Sequence, residues 1–188
     1  MALELGAPSS VVAEIAPGET INNESPPNGL VVTYEFPARG TKPAVRLKWY
    51  EVRRPPLDLF EGVKALPGGG SLMIGSKGKL YSGDDYGSGH TLWPSADFKG
   101  YRPPKPTLPR SPGHHAEWIR ACKGGAAAMS NFDYSARLTE MVLLGNVAIR
   151  IGKRIVWDAD KLRCIDCAAA DEFVRPTFRK GWGWTPLT

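Results

Sequence analysis

The chain contains one pair of closely spaced cysteines, in Cys164-Ile165-Asp166-Cys167. This spacing is typical of thioredoxin-like redox sites and of one half of a structural zinc site. A structural zinc ion needs four ligands, and the rest of the chain offers only Cys122 and three histidines, at no spacing typical of zinc ligands. The pattern therefore favours two small residues near the end of a strand over metal or redox chemistry.

The histidines could act as metal ligands or as acid-base groups. His114 and His115 are adjacent, and neighbours on a helix point about 100° apart, so they cannot easily share one metal ion. We expect one of them to face a β-sheet and the other to face solvent. His90 lies in a glycine-rich loop, where a surface position is favoured and a contact with substrate stays open.

The same loop carries the acidic pair Asp84-Asp85, which could bind a cation or serve as a carboxylate pair, although a solvated loop is favoured. Gly87-x-Gly89 lacks the third glycine of a dinucleotide-binding fingerprint, because Leu92 occupies that position. No strand-turn-helix unit surrounds it either. The sequence therefore contains no fingerprint for NAD(P).

The composition predicts one domain, residues 1–188. A chain of 188 residues, 42% of them hydrophobic, can bury one core but hardly two. The 24 basic residues are scattered among 19 acidic ones, so the net charge of +5 does not indicate nucleic acid. No apolar stretch approaches the roughly 18 residues of a membrane span, so we expect no membrane partner.

The first predicted helix begins at Ser111, which stands at an N-cap position before Pro112. Gly124 follows its last turn as a residue that tolerates positive φ. A proline in the first turn and a glycine after the last are both typical of helix boundaries. The sequence therefore predicts a helix from Ser111 to the residue before Gly124.

The second predicted helix begins near Asp133 or Ser135 and ends at Gly152. Its apolar residues recur at helical spacing over so much of its circumference that we expect central burial. Gly145 in its middle indicates the close approach of another backbone.

Alternating apolar and polar residues predict half-buried strands at residues 30–36 and 45–50, and the sequence predicts further strands at residues 10–15 and 154–157. The strands at 30–36 and 45–50 are expected to pair in antiparallel fashion. One sheet face should meet the helices, leaving Arg46, Lys48 and Tyr50 on the other face. The fold class predicted is α+β, an open, predominantly antiparallel β-sheet with helices packed on one face.

Glycines at both ends of Gly75-Ser76-Lys77-Gly78 predict a hairpin turn. Residues 82–110 hold many glycines and prolines, and we expect an extended surface excursion there. The only strand-like piece within this excursion is at residues 91–93.

Five stretches, in this order along the chain, carry a family resemblance: residues 33–40 (TYEFPARG), 75–81 (GSKGKLY), 109–114 (PRSPGH), 117–120 (EWIR) and 138–148 (LTEMVLLGNVA). Together they resemble the C-terminal domain of the Gfo/Idh/MocA oxidoreductases, a family that includes glucose-fructose oxidoreductase and inositol dehydrogenase, in a bacterial-type subgroup. The resemblance extends from about residue 8 to residue 184.

The resemblance implies a two-domain enzyme. In this family an N-terminal Rossmann domain binds NAD(P), and the C-terminal domain completes the sugar site and often mediates oligomerisation. The sequence departs from that plan because it lacks the Rossmann fingerprint, the Glu-Lys-Pro motif with the catalytic lysine and the Asp-x-x-x-His pair. We therefore assign no catalytic, cofactor-binding or metal residue to this chain, and NAD(P) is implied for the full-length enzyme only.

For the sugar or polyol site that the resemblance implies, the chain offers aromatic and polar side chains in loops and at a helix start. Aromatic faces pack on C–H surfaces, and polar groups bind hydroxyls. These criteria select Tyr86 and His90 in the glycine-rich loop and His114 at the positive end of a helix. Trp93 and Arg110 are secondary candidates, and an ordinary surface role is open for each residue.

Two functions follow as expectations. The first is a substrate-binding and oligomerisation domain of an NAD(P)-dependent sugar or polyol oxidoreductase, acting with the missing Rossmann domain and forming a homo-oligomer through the sheet face. The second is a stand-alone carbohydrate-binding or scaffolding module without redox chemistry. Three cysteines, an odd number, favour a reducing compartment such as the cytoplasm, while export stays open if a signal peptide precedes the missing domain.

Overall fold

The computed structural model describes residues 3–22, 24–66 and 68–183. Two compact units make up this part of the chain. The first consists of the described residues up to Arg53 and from Ser111 onward, and the second consists of those from Arg54 to Arg110. Whether the two units together form the single domain expected from the sequence stays a prediction.

The described residues form two antiparallel sheets and three α-helices, which confirms the α+β class. The strands are β1 (Ser10–Ile15), β2 (Leu30–Phe36), β3 (Val45–Glu51), β4 (Ser71–Gly75), β5 (Gly78–Ser82), β6 (Thr91–Trp93), β7 (Ile155–Asp158) and β8 (Arg163–Cys164). The helices are α1 (His114–Cys122), α2 (Phe132–Ile151) and α3 (Ala168–Val174), and a 3₁₀ turn lies at Leu57–Leu59.

The sheet of the first unit has the strand order β3-β2-β1-β7-β8, with every neighbouring pair antiparallel. The predicted pairing of β2 with β3 is confirmed, and Tyr34 lies opposite Leu47. Since alternate residues of a strand point to opposite faces, Arg46, Lys48 and Tyr50 lie on the face away from buried Tyr34. This confirms the predicted assignment of the two faces.

The core lies between this sheet and α2, which packs on β1. Its buried apolar members come from both layers: Val11, Leu30, Val32, Tyr34, Phe36, Leu144, Val147, Ala148, Ile149, Ile155 and Trp157. Cys164, Cys167 and Ala170 close the same cluster near α3. The two cysteines are thus core residues beside a short strand.

Gly145 lies where α2 approaches β2 most closely. A Cβ atom built on Gly145 would clash with the hydroxyl oxygen of Tyr34 and would lie 3.5 Å from a methyl group of Val32. The prediction that another backbone approaches Gly145 was therefore wrong in one respect, because the approaching group is a side chain. The missing Cβ leaves room for the Tyr34 phenol under the helix.

Only the C-terminal half of α2 is deeply buried, in contrast to the central burial predicted from its composition. Leu144 and Ala148 are buried, whereas Leu138 and Val142 remain about half exposed. Trp49 on β3 lies opposite buried Val32, on the helix-facing side, yet it is 57% exposed. The helix packs on β1 and on Tyr34 of β2, and the outer part of the sheet near Trp49 stays open.

The residues at which α1 and α2 end agree with the predictions from the sequence, but the residues at which they begin do not. Gly124 and Gly152 both have positive φ just after α1 and α2, as predicted. α1 begins at His114, with Gly113 as its N-cap residue. Ser111 lies outside the helix, where its hydroxyl accepts a hydrogen bond from the N–H of Gly113 at 3.0 Å. Ser111 therefore does not cap α1 in the predicted way.

α2 begins at Phe132, one to three residues earlier than predicted. The side chain of Asn131 accepts a hydrogen bond from the N–H of Tyr134 at 3.2 Å. Asparagine is a favourable N-cap residue because its side-chain oxygen satisfies a free amide of the first turn.

The second unit is built on a meander of β4, β5 and β6. Gly75 pairs with Gly78, which confirms the predicted hairpin turn, and the strand at residues 91–93 is confirmed as β6. Phe60, Tyr81 and Trp93 form an aromatic cluster with ring centroids 5.0 to 6.1 Å apart. Pairing of β6 with β5 makes residues 91–93 part of a folded sheet within the predicted excursion.

Replacing Gly145 with alanine should destabilise the protein. Overpacking against Tyr34 costs about 1–3 kcal/mol, and the gain in helix propensity of about 1 kcal/mol offsets only part of it. The free energy of unfolding in urea would measure the net loss. In a Tyr34→Phe background, Gly145→Ala should lower the free energy of unfolding by less. The reason is that the nearest remaining ring carbon lies 3.4 Å from the added Cβ atom.

Thr139→Ala, on an exposed part of the same helix, is the matched control and should change stability little. An equal cost of Gly145→Ala in both backgrounds, or a stabilised Gly145→Ala variant, would contradict the role assigned to this contact.

Candidate functional site

Asp84 orders the loop that carries Tyr86. One carboxylate oxygen accepts hydrogen bonds from the N–H groups of Tyr86 at 2.8 Å and Ser88 at 3.2 Å, and the other accepts from the Ser88 hydroxyl at 2.8 Å. These donors, with the Ser88 hydroxyl first, lower the pKa of Asp84 to about 2. The carboxylate of Asp84 is therefore engaged by its own loop.

The loop presents two of the three predicted substrate contacts at the surface. Tyr86 is 96% exposed, and His90 is also exposed. The hydroxyl of Ser82 donates to the carbonyl oxygen of Gly89 at 2.9 Å, which anchors the backbone immediately before His90. An exposed phenol ring and an exposed imidazole thus share one loop with an anchored backbone.

His114 is the first residue of α1 and belongs to the other unit. Its ring centroid lies 4.3 Å from that of His115, and both side chains are exposed. The prediction that one of them faces the sheet was wrong. The reason is that α1 buries only Glu117 and contributes no residue to the core cluster.

Glu117 is a buried acid that sequence reasoning missed. Only 4% of its surface is exposed, and one carboxylate oxygen accepts from the N–H of Met129 at 2.9 Å. The hydrogen bond with the Ser111 side chain, followed by that of Met129, lowers the pKa of Glu117. An acid in the first turn of a helix was the only signal, and it could not reveal the contact with Met129, twelve residues away.

The secondary candidates differ in their surroundings. Trp93 is 5% exposed and stacks on Tyr81 with centroids 5.0 Å apart. Its proposed contact with substrate is therefore wrong, because the ring is part of the core of its own unit. Arg110 is exposed.

The cysteine pair has the properties of core thiols. Burial, followed by the nearby acid Asp171, raises the pKa of Cys164 to about 11. Asp171 also accepts a hydrogen bond from the N–H of Cys164 at 2.8 Å, which ties β8 to α3. A thiol with a raised pKa is a poor nucleophile near neutral pH.

Within residues 3–22, 24–66 and 68–183, no group of three or more histidine, cysteine or acidic side chains is arranged to hold a metal ion. Over the same described residues, no helix is both long enough and apolar enough to cross a bilayer. No family model, curated protein or solved structure matches this chain.

The Asp84 hydrogen bonds should depend on pH in a defined window. Because its folded pKa of about 2 lies below the ordinary value of 3.8, the loop contacts should be complete above pH 3.8 and lost as the pH falls through about 2. The amide signal of Ser88 in ¹⁵N NMR spectra should report this titration. In Asp84→Asn the signal should show no such step, and a midpoint at or above 3.8 in the parent chain would contradict the assignment.

Proposed function

We propose that this chain is the substrate-binding and oligomerisation domain of an NAD(P)-dependent sugar or polyol oxidoreductase of the Gfo/Idh/MocA type. The observation that carries the proposal is the ordered series of five sequence stretches that resemble this family. All five coincide with or overlap regular elements: β2, the β4–β5 hairpin, α1 (two stretches) and α2. An open antiparallel sheet with a helix on one face is also the architecture that the resemblance implies.

The proposal divides the chemistry between two parts. Hydride transfer needs a nicotinamide cofactor and a positioned proton donor or acceptor, and this chain carries neither the dinucleotide fingerprint nor the family's lysine motif. A partner Rossmann domain would bind NAD(P) and supply those groups. This chain would bind and orient the sugar or polyol, and it would not catalyse the reaction alone.

Tyr86 and His90 of the second unit are proposed substrate contacts, and His114 of the first unit is a separate candidate, each taken by itself. An exposed phenol ring can pack against the C–H face of a sugar, and imidazole nitrogens can donate to or accept from hydroxyl groups. The first two share the Asp84 loop, whose backbone is held by hydrogen bonds. Surface exposure leaves all three side chains accessible to a ligand.

The proposed oligomer contact is the sheet face opposite α2. On this face Val31 lies opposite Tyr50, and Thr33 lies opposite Lys48. Val31 itself is buried, so the contact would be made by the exposed Arg46 and Lys48 and the half-buried Tyr50, which could pack against a second copy in an isologous dimer.

The alternative is a stand-alone carbohydrate-binding or scaffolding module, and it is favoured by the same lack of cofactor and catalytic motifs. The two functions differ in whether sugar binding needs the partner domain. A module would bind its sugar as the isolated chain, whereas a dehydrogenase half would show sugar turnover only with a Rossmann domain.

The proposal predicts the kinetics of an enzyme in which this chain is joined to its Rossmann domain. Changing Tyr86, His90 or His114 to alanine should raise the KM for sugar by about tenfold, the effect of losing roughly 1.4 kcal/mol of binding energy. The affinity for NAD(P)H should stay unchanged, and the chain alone should bind no NAD(P)H in calorimetry.

Tyr101→Ala is the matched control, because Tyr101 is an exposed aromatic residue of the same unit as Tyr86. If all three variants match the parent in KM and kcat, the site assignment is wrong. Micromolar NADH binding to the chain alone would contradict the proposal that a partner Rossmann domain binds the cofactor.

A further inference from the structure

The sheet of the second unit ends in an open edge strand, β4, which pairs with β5 on one side only. We infer that β4 pairs in antiparallel fashion with β4 of a second copy about a two-fold axis, so that two three-stranded meanders join into one six-stranded sheet. The inference concerns the second unit alone. It does not rest on the proposed function or on the proposed contact through the sheet face of the first unit.

The hairpin turn decides which backbone groups of β4 point to the open edge. Gly75 and Gly78 flank a two-residue turn, and such a flanking pair exchanges hydrogen bonds. Bonded and non-bonded pairs alternate along an antiparallel ladder, so Met73 also bonds to β5, whereas Leu72 and Ile74 do not. The N–H and C=O groups of Leu72 and Ile74 therefore point away from β5. Among the described residues, no backbone group pairs with them.

The β4 edge has none of the features that usually prevent pairing between chains. Edge strands are commonly short or carry charged residues or proline. β4 has five residues, none of them charged and none a proline, and its Ile74 and Met73 side chains are 60% and 46% exposed. The opposite edge strand, β6, has only three residues and is followed by Pro94, which has no N–H to donate. Pairing is therefore expected at β4 rather than at β6.

The open groups favour one register. When the two-fold axis passes Met73, Leu72 of each copy lies opposite Ile74 of the other, and each such pair exchanges two hydrogen bonds. All four open groups of each strand are then satisfied. An axis at Leu72 or at Ile74 would form only one bonded pair between strand residues.

This register also places apolar side chains together. The two Met73 residues form the non-bonded pair on the axis, where Cβ atoms lie about 4.5–5.5 Å apart on one face. On that face Met73 lines a shallow apolar depression of about 380 Å³ with Leu80, Leu92 and Phe98. Pairing brings the two depressions side by side and shields the flexible Met73 side chains from water.

The charges beyond the strand ends are complementary in the same register. Continued past the strand, it brings Lys77 of one copy to Gly69 of the other. The Asp85 carboxylate lies beside Gly69, because a Cβ atom built on Gly69 would clash with it. Among the described residues, neither Lys77 nor Asp85 has an ion-pair partner. The two-fold axis would form the pair of Lys77 with Asp85 twice, once at each end.

The contact is small, since it consists of one strand pair and two exposed ion pairs. We expect a dissociation constant of about millimolar, as for transient interfaces. At protein concentrations well below that value the contact adds little to light scattering. A covalent trap across the two-fold axis detects it instead.

The test is disulfide trapping of Met73→Cys in the full chain, in a background of Cys122→Ser and Tyr50→Glu. The first background change removes the exposed native thiol, and the second removes the proposed sheet-face contact. The two residues at position 73 lie opposite each other at a separation that a disulfide spans. We expect an intermolecular disulfide in oxidised glutathione, seen as a dimer on a non-reducing gel.

Ile74→Cys in the same background is the matched control, because Ile74 is more exposed than Met73 on the same strand. In the inferred register the two copies of Ile74 are offset by two residues, which puts their Cα atoms beyond the roughly 7 Å limit of a disulfide. Trapping of Ile74→Cys should be at least about tenfold slower. Equal trapping of the two variants, or faster trapping of Ile74→Cys, overturns the inference.

Charge reversal provides an independent readout. Lys77→Glu should slow the trapping of Met73→Cys by about tenfold, because it places two acids together at each end. Adding Asp85→Lys should restore the rate, whereas Lys105→Glu, at an exposed lysine of the same unit, should not change it. Circular dichroism verifies that each variant is folded. A double reversal that traps as slowly as Lys77→Glu alone also overturns the inference.

Discussion

The contact between Gly145 and Tyr34 is the constraint on which the arrangement of the first unit depends. Because Gly145 has no side chain, the middle of α2 can rest on the phenol of a central strand. This close approach buries Leu144 and Ala148 against the sheet and decides which of its two faces is covered. Burial also raises the pKa of the Tyr34 phenol to about 12, as expected for a hydroxyl under a helix.

The position of α2 has two consequences for the first unit. Its C-terminal half contacts the segment between β1 and β2, because Arg150 donates to the carbonyl oxygen of Asn22 at 3.0 Å. Its N-terminal half leaves Leu138 and Val142 about half exposed. The same packing that buries one half of the helix therefore leaves apolar side chains of the other half at the surface.

Much of the fold was predictable because it follows from local patterns. Alternation placed the strands and their faces, and Gly124 and Gly152 marked the helix ends through their positive φ. Contacts between residues distant in sequence could not be predicted from local patterns. The stacking of Trp93 on Tyr81 and the burial of Glu117 depend on residues distant in sequence. The contact of Arg150 with the carbonyl oxygen of Asn22 was missed for the same reason, since the two residues are 128 positions apart.

In the proposed dimer, the face of the five-stranded sheet opposite α2 would pack against a second copy of the chain. Light scattering at high protein concentration tests it most directly, comparing the parent with Tyr50→Glu, which adds a charge to that face on the edge strand β3, and with Tyr101→Glu as the control. The account predicts a dimer for the parent and the control and a monomer for Tyr50→Glu. A monomeric parent, or a dimer that survives Tyr50→Glu, would show that this face is merely solvated.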